Sequence, residues 1–103
     1  VQILIYVAKS TYWESFMSTL PEAGWSLRRM YRTPASRNLK AKTGTIDGVS
    51  AFTGAVVTRD GETLLFSILS NDVVSTGAAK RVENQFGVRL AEFRRATEVS
   101  NNP

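Results

Sequence analysis

The sequence predicts an α+β fold: an antiparallel β-sheet of at least three strands packed with N- and C-terminal helices. Three observations predict it. Residues 39–46, 51–59 and 62–70 are rich in β-branched and apolar side chains and are separated by Gly or Asp-Gly breaks. Apolar residues at helical spacing precede them, and a second helical stripe follows. The 103 residues suffice for one small core, and 43% apolar with 21% charged residues is ordinary for a globular domain.

Residues 1–19 read as two short helices. Ser10 or Thr11 can cap the second, and Glu14 follows Thr11 at capping-box spacing. Trp13, Phe16, Met17 and Leu20 then share one face. Pro21 and Gly24 close the stretch, Ser26 to Tyr31 predict one more helical turn, and Pro34 forces extended geometry at Thr33. Ala35 to Lys40 is a polar connector to the first strand. Asp47 before Gly48 reads as a turn former, and Asp60-Gly61 as a two-residue hairpin of the type that needs positive φ at both positions. In the last strand Leu64, Phe66 and Ile68 alternate with the equally apolar Leu65 and Leu69, so cover is expected on both faces of the sheet. Ala79, Val82, Phe86, Leu90 and Phe93 predict one apolar stripe on a helix from about Ser75 to Arg95. Gly87 should weaken that helix by about 1 kcal/mol relative to Ala. Residues 1–96 form the expected folded unit and 97–103 a frayed tail.

Composition narrows the chemistry. Thirteen Lys and Arg against 9 Asp and Glu give a net charge of +4. The positive charges are scattered as pairs, Arg28-Arg29 and Arg94-Arg95, which describes a solvated surface and not a nucleic-acid footprint. With no Cys and no His, there is no disulfide framework, no thiolate metal site and no imidazole base. No acidic pair has the setting of a glycosidase or metal centre, so neither metal nor cofactor is expected, and any hydrolysis must be histidine-free. The redox compartment stays open. The apolar opening Val1–Ala8 is too short to span a bilayer and lacks a charged n-region. Beginning inside an apolar run without Met, the sequence reads as a chain cut from something longer. Trp13, Trp25 and Tyr31 read as packing residues and not as a stacking platform.

The chemistry concentrates in Lys42-Thr43-Gly44-Thr45, at the end of the first strand. A Lys ammonium supplies a positive point charge, a Thr hydroxyl can bond a carboxylate, and Gly44 lets a ligand approach the backbone closely. Extended backbone at that place can take up an extended substrate as an added strand.

The longer string Lys40-Ala41-Lys42-Thr43-Gly44-Thr45-Ile46-Asp47-Gly48-Val49-Ser50-Ala51-Phe52-Thr53-Gly54, followed by Asp60-Gly61 and Leu65-Phe66-Ser67-Ile68-Leu69-Ser70-Asn71, is similar to a known family. It resembles the C-terminal stretch of the penicillin-binding D-alanyl-D-alanine carboxypeptidases of the DacB type. Leu20-Pro21-Glu22-Ala23-Gly24 and Leu27-Arg28-Arg29-Met30 look like that family too, so the resemblance covers roughly residues 15–95.

The resemblance implies a partial β-lactamase/transpeptidase-like domain, with 1–96 as the C-terminal part of a DD-peptidase domain. The family joins three motifs: Ser-x-x-Lys with the acylating serine, Ser-x-Asn, and Lys-Thr-Gly. By that analogy Lys42 and Thr45 are catalytic, Lys42 supporting the serine–lysine network and the Thr45 N–H serving as one oxyanion donor. By the same analogy Thr43 and Gly44 are the substrate-binding residues. The remainder of the parent polypeptide, peptidoglycan stem peptides and β-lactams are the implied partners, on the extracytoplasmic side of the membrane.

Lys9, Lys40, Lys42 and Lys80 all lack a serine three residues earlier, so the chain alone is expected to be inactive. Ser36-Arg37-Asn38 and Ser100-Asn101-Asn102 fit Ser-x-Asn only by coincidence. Two other readings stand open: a non-catalytic peptide- or glycan-binding module or degenerate relative, and a β-lactamase-type hydrolase.

Overall fold

The computed structural model describes residues 2–95. Its elements run α1 (Gln2–Ala8), α2 (Trp13–Thr19), β1 (Lys40–Ile46), β2 (Val49–Val57), β3 (Thr63–Ser70) and α3 (Thr76–Glu92). The strands form one antiparallel sheet in the order β1-β2-β3. This is the expected α+β arrangement. The tail expected at 97–103, with its Ser100-Asn101-Asn102, lies outside the described residues.

The turns exchange roles relative to expectation. Ile46 pairs directly with Val49, so Asp47-Gly48 is the two-residue hairpin, with Gly48 at φ 75°. The β2–β3 turn is longer. Gly61 N–H donates to the Thr58 carbonyl at 3.0 Å, and Thr58 N–H to the Glu62 carbonyl at 2.7 Å. Between Thr58 and Glu62 only Gly61 has positive φ, 85°, which fits a three-residue loop ending in a left-handed glycine and not a two-residue turn.

One face of the sheet carries the core, in which Phe52, Val56 and Phe66 pack with Leu39, Ala41 and Ala91. The Phe52 and Phe66 rings lie 5.1 Å apart at 44°. Cover on the opposite face is incomplete: Leu69 is 65% and Ile46 72% exposed, against the expectation of two covered faces.

The helix α3 covers the core face, but not with the stripe its apolar residues predict. Val82, Phe86 and Phe93 are exposed, while Glu83, Gly87 and Ala91 are buried. The cause is close approach. A Cβ at Gly87 would stand 2.8 Å from Leu39 Cδ1 and 3.0 Å from Met30 Sδ. Small residues one turn apart let the helix sit down on the sheet, and the larger apolar residues are rotated outward. Ser75 caps the helix by accepting from Ala78 N–H at 3.2 Å.

Two other local expectations differ. The α2 N-cap is Tyr12 with no side-chain cap bond, so no capping box forms. Ser10 instead accepts from Tyr12 N–H at 3.1 Å and donates to the Val7 carbonyl at 2.8 Å, closing the α1–α2 turn. Residues 26–31 form no helical turn. Met30 takes φ 62°, and the segment is tied by Gly24 N–H donating to the Arg29 carbonyl at 2.9 Å. Here Arg29 and Met30, neighbours in sequence, both face α3, an arrangement that helical geometry would prevent.

Gly54 has no room for a side chain beside β1, since a Cβ there would lie 1.9 Å from the Lys40 carbonyl oxygen. Gly54→Ala should therefore cost about 3 kcal/mol, the upper range for overpacking, read as a lowered urea midpoint. An unchanged midpoint would show that the pair can open without loss.

Asp60 is held below its ordinary value of 3.8, first by the Thr58 hydroxyl 2.5 Å from Oδ1 and then by the Arg95 backbone N–H 3.0 Å from Oδ2. A pKa lower in the folded than in the unfolded state gives stability that is complete above the unfolded value and lost as pH falls through the folded one. Asp60→Asn should thus lose less stability than the parent between about pH 6 and about pH 3. Equal losses in paired urea titrations would refute this.

Candidate functional site

Because β1 lies at the edge of the sheet, one of its sides has no strand partner. Its first residues are nevertheless occupied. Ala41 N–H donates to the Pro21 carbonyl at 3.0 Å, and Ala23 N–H to the Leu39 carbonyl at 2.8 Å, with Glu22 and Lys40 forming an antiparallel bridge. Among the described residues, no backbone partner meets that side beyond Ala41.

The alternation of an antiparallel ladder then settles which groups are free. Ala41 turns its N–H away from β2, so Thr43 and Thr45, two and four residues on, turn theirs to the same open side. Their partners across the ladder are Phe52 and Ser50. The side chains of Thr43 and Thr45 stand on the α3 face, and those of Lys42 and Ile46 on the other.

Lys42 is exposed, and its Nζ donates to the Thr43 carbonyl at 2.5 Å. The ammonium therefore lies along the open edge beside the Thr43 main chain. A Cβ at Gly44 would meet no atom within 4 Å, so a neighbouring molecule has room at that point. Across the same face Thr53, the partner of Lys42, is joined to Ser67 by a 3.0 Å hydroxyl bond, giving Lys42 a polar floor.

The structure thus brings the Lys42 ammonium, the Thr43 main chain and the Thr45 N–H to one accessible edge, while the two Thr hydroxyls lie on the opposite face from the lysine stem. A concavity of about 590 Å³ lies elsewhere, at the other end of β1, and is lined by Trp13, Met17, Glu22, Arg37, Lys40 and Val57 among others. Asn38 of the Ser36-Arg37-Asn38 coincidence is a structural tie, since its Nδ2 donates to the Val57 carbonyl and its Oδ1 accepts from Val57 N–H, both at 2.8 Å. Trp25 is exposed and carries the Arg37 guanidinium 5.0 Å above its ring.

Beneath the edge lies a buried polar group that sequence reasoning missed. Glu83, 1% exposed on α3, accepts from both Arg29 terminal nitrogens at 3.3 Å through Oε1 and from the Ser50 hydroxyl at 2.7 Å through Oε2. Arg29 also stacks 4.6 Å from the centre of the Phe52 ring. The available signal was spacing: Glu83, Gly87 and Ala91 recur every four residues on one helix face.

The family model for D-Ala-D-Ala carboxypeptidase 3 (S13) matches residues 1–93. The chain belongs to the S13 D-Ala-D-Ala carboxypeptidase family. It is also 37% identical, over 101 residues, to the D-alanyl-D-alanine carboxypeptidase of Actinomadura sp. (strain R39), with 90% of this chain and 18% of that protein aligned. The chain therefore spans less than a fifth of that relative's length.

Removing Glu83 leaves Arg29, with its side chain only 12% exposed, without its counter-charge. Glu83→Ala should cost about 3–5 kcal/mol in urea unfolding, the usual loss when one member of a buried pair is deleted. A loss below about 1 kcal/mol would place the pair among ordinary surface bridges.

Proposed function

We propose that this chain is the substrate-binding part of a serine-type D-Ala-D-Ala carboxypeptidase that acts on peptidoglycan stem peptides through an acyl-enzyme. The observation that carries the reading is the open edge of β1, where Lys42-Thr43-Gly44-Thr45 presents two outward main-chain N–H groups beside an exposed ammonium in a chain of the S13 family.

The roles follow from chemistry at that edge. The peptide lies antiparallel along β1 and bonds to the outward groups of Thr43 and Thr45. Its terminal carboxylate is held by the Thr43 hydroxyl on the α3 face, and the Lys42 ammonium, which reaches the edge beside the Thr43 carbonyl, adds its positive field there. Gly44 leaves room for the chain to pass. A serine outside residues 1–103 attacks the carbonyl carbon of the penultimate D-Ala, and its hydroxyl proton passes to a lysine base. The Thr45 N–H and the serine's own N–H hold the oxyanion, such a donor contributing about 3 kcal/mol to lowering the barrier. Collapse of the tetrahedral adduct expels the terminal D-Ala as the free amine, and water then hydrolyses the ester. β-Lactams would enter by the same route as carboxylate-bearing mimics of the dipeptide. The enzyme would work extracytoplasmically, where its polymer substrate lies.

Fluorescent penicillin tests the reading. The full-length protein should form a covalent adduct and the 103-residue chain none. In the full-length protein Lys42→Ala should slow acylation by at least about 100-fold with the thermal midpoint retained, as expected for loss of a group that stabilises developing charge. An adduct on the short chain would overturn the placement of the nucleophile. Unchanged acylation in Lys42→Ala would overturn the role of β1, and a full-length protein that forms no adduct would point to a non-catalytic binding module.

A further inference from the structure

We infer that Arg29, Glu83 and Ser50 are positioning residues for the substrate edge, because the Arg29–Glu83 pair grips the two β2 residues that stand opposite Thr43 and Thr45. The inference rests on the function proposed above for β1.

Thr45 pairs with Ser50, and Thr43 with Phe52. Both are pairs whose N–H and C=O groups point away from one another, the type in which Cα atoms approach to about 4.5 Å and side chains touch most closely. The two β2 residues are also the two that the buried charges contact. Ser50, 2% exposed, donates to Glu83 Oε2 at 2.7 Å, and the Phe52 ring lies 4.6 Å from the Arg29 guanidinium carbon. Arg29 holds the other carboxylate oxygen at 3.3 Å through two nitrogens. With both oxygens engaged, the carboxylate cannot turn without losing a partner.

Glu83 lies within α3, and the next turn of that helix is seated on Leu39 and Phe52 at Gly87. The helix therefore fixes the carboxylate, the carboxylate fixes Ser50, and Ser50 fixes the depth of β2 directly behind the proposed oxyanion donor. Apolar side chains of similar volume would serve stability as well as this buried polar group. What it adds is direction: a hydrogen bond of set length where a displacement of about 1 Å would cost about 100-fold in rate.

The test is the rate of acylation of the full-length protein by fluorescent penicillin, measured beside the thermal midpoint. Ser50→Ala should acylate about 10- to 100-fold more slowly while its midpoint stays within a few degrees of the parent's. Ser50→Thr, which keeps the hydroxyl, should recover most of the rate. Arg29→Lys is a second probe that changes no residue of β2, and it should also slow acylation in a folded protein. Parental rates in Ser50→Ala or Arg29→Lys, or a Ser50→Thr variant as slow as Ser50→Ala, would overturn the inference. Lys42→Ala run in parallel separates the two levels. If it is slow and Ser50→Ala is not, the positioning role fails while the function of β1 stands; if neither is slow, the reading of β1 itself has failed.

Discussion

Where α3 crosses the sheet at Gly87, a side chain as small as a methyl group would collide with Leu39 and crowd Met30. That contact sets the rotation of the whole helix. Residues a turn to either side, Glu83 and Ala91, are carried onto the same buried face, and Val82 and Phe86 are turned to solvent although they are the more apolar residues. The helix gives up about 1 kcal/mol of intrinsic propensity at the glycine. In exchange, fully buried Leu39 and Phe52 gain a close cover, and burying a side chain of that size is worth about 1.5–3 kcal/mol.

Once Glu83 is under the helix, its charge must be answered. Arg29 is the answer, and it explains the irregular course of the 24–37 segment better than any local propensity does. Left-handed residues at Gly24, Met30, Arg32 and Arg37 turn the backbone so that Arg29 reaches the carboxylate while Met30 reaches Gly87. Ala23 sits fully buried at the hub: its N–H donates to the Leu39 carbonyl and its own carbonyl accepts from Arg37 N–H at 2.7 Å. The residues leading into it close the first part of the β1 edge through Pro21. One connector therefore both neutralises the buried acid and decides where the open edge begins.

An unpaired strand edge is ordinarily a hazard, because it invites pairing with any extended chain. Here the open length is short, running from Thr43 to the Asp47-Gly48 turn, and an exposed lysine stands beside it. Those features also suit the proposed docking of a short peptide bearing a terminal carboxylate. The hazard and the proposed recognition share one origin, main-chain donors left unsatisfied by the chain that carries them.

Much of this was legible in the linear sequence. Three strands, two short N-terminal helices and a long C-terminal helix follow from residue period and from Gly-containing breaks, which act over a few residues. Lys42-Thr43-Gly44-Thr45 likewise stood out through residue type and order as the candidate site. The tertiary structure alone decided which face of α3 is buried, that Asp47-Gly48 and not Asp60-Gly61 makes the tight hairpin, and that Arg29, Glu83 and Ser50 meet behind the edge. These outcomes depend on how closely surfaces distant in sequence can approach, and Arg29 and Glu83 are 54 residues apart. Local preference, worth at most about 1 kcal/mol per ordinary residue, yields to such contacts when a fully buried core is at stake.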